Sequence, residues 1–102
     1  MIHVVALITA TPGNRDKVLA AFRANVPAVR VEAGCIEYAA TVDAAGFEGG
    51  KGALGPDTFA VIEKWESADA LKAHAVAPHM QAYGAQVKDW LASRVIHVLQ
   101  AA

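Results

Sequence analysis

Residues 2–10, Ile-His-Val-Val-Ala-Leu-Ile-Thr-Ala, alternate without a polar side. As a strand, Ile2, Val4, Ala6 and Ile8 line one face, and His3, Val5 and Leu7 line the other. A strand apolar on both faces needs cover on both. The chain that must supply this cover has 102 residues and a mass of 10.7 kDa. That length fits one domain over residues 1–102. Area scaling gives about 5,500 Å² folded against about 15,500 Å² unfolded, so a single core is feasible with little margin.

The remaining pattern has a clear order. Thr11-Pro12-Gly13-Asn14 stops the first strand and starts a helix over residues 14–33. Val18, Leu19, Phe22, Val26 and Val29 form its apolar stripe. Pro27 inside this stretch predicts a kink or break, and Gly34 predicts the stop. Residues 35–43 alternate as a second strand, with Ile36, Tyr38, Ala40 and Val42 on one face and Cys35, Glu37, Ala39 and Thr41 on the other. Residues 44–57 hold five of the eight glycines and read as a loop or ragged hairpin tip. Residues 58–66 give a third strand, on which Phe59, Val61, Glu63 and Trp65 share a face. Ser67 caps a short helix, Pro78 opens another running to about Leu91, and residues 93–100 give a fourth strand.

The sum is β-α-β, loop, β-α-α-β. This is the α+β, ferredoxin-like split βαβ arrangement: a four-stranded antiparallel sheet with its helices on one face. The second face would then lie in water. Pairing two sheets face to face removes that apolar patch, which predicts a two-fold homodimer, a dimeric α+β barrel. Small residues such as Ala6, Ala39 and Ala60 offer the other solution, a face tolerable alone.

Composition excludes several classes. With 55% hydrophobic and 19% charged residues the chain is no disordered tail. A net charge of −1 gives no basic surface for nucleic acid or anionic membranes. The first residues lack the basic segment of a signal peptide, and no run approaches the ~18 apolar residues of a membrane helix. A soluble, cytoplasmic protein is the expectation. Cys35 is the only cysteine, which leaves no internal disulfide and no cysteine-based zinc site. There is no G-x-G-x-x-G and no P-loop.

Several fragments occur in a telling order: Thr11-Pro12-Gly13; Arg30-Val31-Glu32-Ala33-Gly34-Cys35-Ile36-Glu37-Tyr38; Glu63-Lys64-Trp65-Glu66-Ser67; then Ala70-Leu71, His74 and Pro78-His79-Met80. Over nearly the whole chain this resembles the antibiotic-biosynthesis monooxygenase family of dimeric α+β barrels, which includes the quinol monooxygenases. Residues 44–57 depart from it, being longer than the family's usual link. The resemblance implies a cofactor-independent monooxygenase, with O₂ and a small aromatic substrate of the hydroquinone, dihydroxynaphthalene or anthrone type. It implies no flavin, haem or metal. Two other readings share the fold: a non-catalytic small-ligand or stress-response barrel, and a haem-degrading relative. The haem branch uses an Asn on the first strand, and residues 2–10 contain none.

His74 sits at the family's histidine position and titrates near neutrality, which suits it to accept a phenolic proton. Trp65 offers a wall for an aromatic ring. Glu63, between Val61 and Trp65 on an apolar strand face, needs a partner, Arg30 or His74, or a raised pKa. Tyr38 can hydrogen-bond a substrate oxygen. His79, next to a helix start, can face the same cavity mouth. Met80 and Tyr83 belong to the stripe of the last helix and complete the substrate-binding candidates. Each has an ordinary structural role as alternative: a helix-terminal cation, a core aromatic, an ion pair. Arg30 and Glu32 read as fixing the end of the first helix. His3 and His97, on neighbouring strands, lack a third ligand, so no metal site is assigned.

Overall fold

The structure, a computed structural model, describes all 102 residues. Its elements are β1 (Ile2–Ala10), α1 (Arg15–Arg30), β2 (Cys35–Thr41), β3 (Thr58–Trp65), α2 (Ala68–Ala75), α3 (Pro78–Val87) and β4 (Leu91–Leu99), with one 3₁₀ turn over Lys88–Trp90. The four strands form one antiparallel sheet in the order β2-β3-β1-β4. This is the expected ferredoxin-like α+β architecture.

Register explains which side is buried. Val4 pairs with Glu63 and Val98, Ala6 with Val61 and Ile96, and Ile8 with Phe59 and Arg94. Cross-strand partners share a face, so these residues all look toward the helices. The core is built there from Val4, Ile8, Phe59, Val61 and Trp65 against Val18, Leu19, Phe22 and Val29 of α1 and Val87 of α3. Ala6 lies on this side too, so it does not soften the other face as the sequence reading supposed. The opposite face carries His3, Val5 and Leu7 with Ile62, Val95, His97 and Leu99. No helix covers it, and Val95 and Leu99 are each 48% exposed. His3 stands opposite Leu99 and His97 opposite Val5, so the two histidines are not a cross-strand pair.

An uncovered sheet makes the molecule flat, with extents of 37 × 34 × 20 Å. The accessible surface is 6279 Å², above the roughly 5,500 Å² typical of a monomer this size.

Local chemistry moved several expected boundaries. Helix α1 runs unbroken through Pro27. A proline removes one amide donor, and here the packing of Phe22 and Val29 on either side holds the helix together. The helix ends at Arg30 rather than residue 33, because Glu32 and Cys35 enter turn hydrogen bonds to Val29 and Glu32 carbonyls. Helix α3 stops at Val87 rather than Leu91. The amide of Thr11 takes the Trp90 carbonyl at 2.8 Å, which ties the chain to the end of β1 and starts β4 at Leu91. Strand β2 has a bulge between Cys35 and Glu37. It turns Ile36 out to 49% exposure and puts Cys35 against the core, the reverse of strict alternation.

Strand β2 ends at Thr41, and residues 44–57 form a loop tied at its base. The Leu54 and Gly55 amides donate to the Asp43 carboxylate at 2.8 and 3.0 Å. Arg15 donates to the Gly55 carbonyl at 3.1 Å. The two amides hold the Asp43 carboxyl below its ordinary pKa.

Gly34 decides how α1 meets α2. Its φ is +83°, and a Cβ there would lie 2.6 Å from the Ala70 Cβ. Gly13 has φ +80° with open space around it. Gly13→Ala should therefore cost only the left-handed backbone penalty, about 1–2 kcal/mol. Gly34→Ala should cost about 2–5 kcal/mol, as overpacking adds to it. In urea denaturation, pairing Gly34→Ala with Ala70→Gly should recover the packing part and leave the backbone part, plus about 1 kcal/mol for glycine within α2.

Candidate functional site

Between the helices and the sheet lies a cavity of about 270 Å³. Its walls are apolar: Val4, Ala6, Ile8 and Val61 on the sheet, Phe22 and Leu71 on the helices. The polar groups among its lining residues are Tyr38, Glu63, His74, Tyr83 and Arg94. An apolar cavity with few convergent polar groups is the usual form of a small-molecule site.

His74 reaches it from the last turn of α2. Ser67 caps that helix by accepting the Ala70 amide at 3.1 Å. The imidazole is 5% exposed. It sits on Trp65, with ring centroids 4.6 Å apart, and meets Tyr38 edge-on at 5.4 Å. Its Nδ1 lies 2.7 Å from Glu32 Oε2. With Glu32 ionised, that nitrogen carries the proton and donates it. The free nitrogen, Nε2, is then on the side of Glu63, 4.0 Å from Oε1. A carboxylate that fixes one imidazole nitrogen leaves the other ready to accept a proton.

Glu63 lies on β3, buried between Val61 and Trp65. Trp65 Nε1 donates to its Oε1 at 2.9 Å. Burial raises the Glu63 pKa; the Trp65 hydrogen bond and His74 oppose the shift, and Glu32 adds to it. Arg30, expected as a possible partner, instead donates to the Tyr38 carbonyl at 3.2 Å. Burial pushes the Tyr38 hydroxyl far above its ordinary pKa and that of Tyr83 to about 12, with Arg94 opposing. Both tyrosines are therefore neutral donors. Tyr38 stacks on Phe22 at 5.0 Å, and Tyr83 meets Phe22 edge-on at 6.3 Å.

Of the residues singled out from sequence, Tyr38, Glu63, His74, Met80 and Tyr83 come together on this cavity. Trp65 does not line it. It is fully buried behind Glu63 and His74 and acts on them from there. His79 lies outside it as well, in a shallow surface pocket with Asn25 and Gln86, its Nε2 3.5 Å from Glu32 Oε2. The loop of residues 44–57 supplies no lining residue, and Phe47 at its tip is 71% exposed. The sequence reading gave Glu32 only the role of fixing the end of the first helix, and it did not single out Arg94. Glu32 is a turn residue with no periodic position to mark it. Arg94 alternates onto the cavity side of β4, a face that sequence alone did not separate from the other.

The sequence profile described as "Antibiotic biosynthesis monooxygenase" matches residues 1–86. The Escherichia coli K12 protein named "Probable quinol monooxygenase YgiN" is 40% identical over 102 residues, spanning 98% of this chain and 97% of that protein. Among solved structures, PA3566 from Pseudomonas aeruginosa superposes with a TM-score of 0.80 at 27% identity, covering 99% of this chain and 93% of the other. Rv0793 from Mycobacterium tuberculosis gives 0.79 at 26%, covering 99% and 94%.

The buried Glu63 carboxyl predicts a pH effect. A carboxyl with a raised folded pKa weakens the fold as it ionises. The penalty is absent below its ordinary value of 4.5 and grows as pH rises through the folded value. Glu63→Gln keeps an acceptor for Trp65 and removes the charge. It should raise Tm at pH 7–8, each kcal/mol being worth about 4–8 °C at this size, with the gain shrinking toward pH 4. A lower Tm at neutral pH would mean that Trp65 and His74 outweigh burial.

Proposed function

The chain belongs to the antibiotic biosynthesis monooxygenase family, and on that premise we propose that it oxygenates a small electron-rich aromatic at the cavity under His74. The substrate class is a hydroquinone, dihydroxynaphthalene or anthrone. The carrying observation is the Glu32–His74 pair: Nδ1 held at 2.7 Å by a carboxylate, Nε2 left for a phenolic proton, and apolar walls around the place where that proton would come from.

The steps balance without an outside reductant. His74 Nε2 takes the phenolic proton. The resulting phenolate passes one electron to O₂, and the radical pair recombines as a C–O bond at a ring carbon. As the O–O bond breaks, the proton on that carbon passes to the departing oxygen, the C–H electron pair forms the new C=O, and hydroxide leaves. His74 returns its proton to the hydroxide to give water. For a simple hydroquinone the sum is quinol plus O₂ giving hydroxyquinone plus water. The apolar walls exclude water, which would solvate and protonate the superoxide and weaken every hydrogen bond to the anion. Neutral Tyr38 donates to the developing oxyanion, and Glu63 supplies the second hydrogen-bonding group at that end. Met80 and Tyr83 close the cavity from α3.

We further propose a cytoplasmic homodimer. The uncovered face with Val5, Leu7, Ile62, Val95 and Leu99 is apolar, and laying two such faces together buries it. Leu7→Lys should convert a species of twice 10.7 kDa into one of single mass in sedimentation equilibrium. A wild-type monomer would overturn this.

Oxygen uptake by chelator-treated protein, against a panel of quinols and anthrones with autoxidation subtracted, tests the reaction. His74→Ala should lower kcat by about 10²–10⁴-fold, the usual worth of a general base. Glu32→Gln should lower kcat with little change in KM, since it positions the base without touching substrate. If no panel member exceeds autoxidation, the oxygenase reading falls.

A further inference from the structure

The cavity has two polar ends. Glu63 pairs across the sheet with Val4, whereas Arg94 pairs with Ile8. Four residues of strand separate these levels, about 13 Å along β1. Glu63 is the only carboxylate among the residues lining the cavity, and Arg94 the only cation of fixed charge.

Arg94 has no protein partner. Its guanidinium makes no ion pair and donates to no side chain or carbonyl. It also lines a second cavity of about 140 Å³, which shares Ile8, Ala75, Met80 and Tyr83 with the first. The protein groups around it are apolar, apart from the hydroxyl-bearing Tyr83 and the amide of Gln81, and Arg94 itself is exposed at the open edge of the cavity. A guanidinium is a planar set of donors that matches a carboxylate with two parallel hydrogen bonds. Here it stands at the edge of a substrate-sized apolar space, with Tyr83 as a neutral donor beside it.

We propose that the aromatic substrate carries a carboxylate, and that Arg94 with Tyr83 binds it while the phenolic end faces His74 and Glu63. The substrate class narrows to hydroxyaromatic acids, and Arg94 is the residue that sets this preference. The inference rests on the reading of the cavity as the substrate site. It adds a requirement that neither the acid–base pair nor the apolar walls impose.

The test is equilibrium binding without turnover, by fluorescence titration of 6-hydroxy-2-naphthoate and of 2-naphthol, which lacks the carboxylate. Wild-type protein should prefer the naphthoate by about tenfold or more, the usual worth of a charge-assisted hydrogen bond in this setting. Arg94→Gln should abolish that preference by weakening naphthoate alone, and Arg94→Lys should keep part of it. The wild-type preference should fall as salt is raised. Equal wild-type affinity for the two ligands, or equal loss of both in Arg94→Gln, overturns the inference. So does a change of sedimenting mass in Arg94→Gln with both affinities reduced, because the guanidinium would then belong to an interface between copies. Naphthol binding and quinol-dependent oxygen uptake that persist without a carboxylate preference leave the substrate site standing and sink only the role of Arg94. Failure of both ligands to bind removes the site and the inference together.

Discussion

The site depends on one close approach, that of the Gly34 backbone to the Ala70 methyl group. The end of α1 and the start of α2 come close enough there that no side chain fits between them. The Glu66 amide reinforces the contact by donating to the Gly34 carbonyl at 2.9 Å. The turn that carries Gly34 also carries Glu32, and the helix that carries Ala70 also carries His74 one turn later. Pressing the two segments together therefore sets the 2.7 Å distance between Glu32 and the His74 Nδ1. The position of the imidazole follows from this close packing of turn against helix.

With that pair fixed, the electrostatics of the cavity fall into an order. Glu32 does not line the cavity; it accepts the hydrogen bond of Nδ1 from outside it. Glu63 keeps one acceptor occupied by Trp65 and is pushed toward its protonated form by burial. Tyr38 and Tyr83 are neutral. The result is a space whose two tyrosines are neutral donors and whose one fixed charge is the positive Arg94 at its far end. That is a suitable setting for creating an anion on a ligand, because no resident negative charge in full force opposes it. Trp65 contributes from behind. It fills the space under His74 and ties down Glu63, which explains its complete burial on a strand whose neighbours face the cavity.

Much of this was legible in the sequence. The period-2 runs and glycine stops gave strand order and helix positions, and the sharing of a face by Glu63 and Trp65 survived intact because β3 has no bulge at those positions. Alternation failed at Cys35 and Ile36, where the bulge in β2 shifts register by one residue. Pro27 misled because a missing amide is a local loss, whereas the helix is held by tertiary packing. His74 was marked by the family resemblance, at the family's histidine position. Its partner was not: Glu32 is 42 residues away in sequence, and no spacing rule links a turn to a helix across the fold. Arg94 was hidden for a different reason. Strand β4 is apolar on both faces, so its pattern does not say which side looks at the cavity.

That two-sidedness separates two kinds of uncovered surface. On the outer face, Val5, Leu7, Val95 and Leu99 lie together with no element of this chain able to reach them. On the inner side, Ile96 and Val98 are 52% and 56% exposed and line the cavity, because the helices stop short of this edge of the sheet. The two surfaces cannot be treated alike. Covering the outer face leaves the cavity as it is, whereas covering the inner strip closes the one wall that the helices leave open. A ligand bound as proposed needs a way in and, at the level of Ile8, access to Arg94. A second sheet laid on the outer face satisfies the apolar demand set by residues 2–10 and leaves that way open. An apolar outer face and a cavity open at its edge are thus compatible, because they lie on opposite sides of the same four strands.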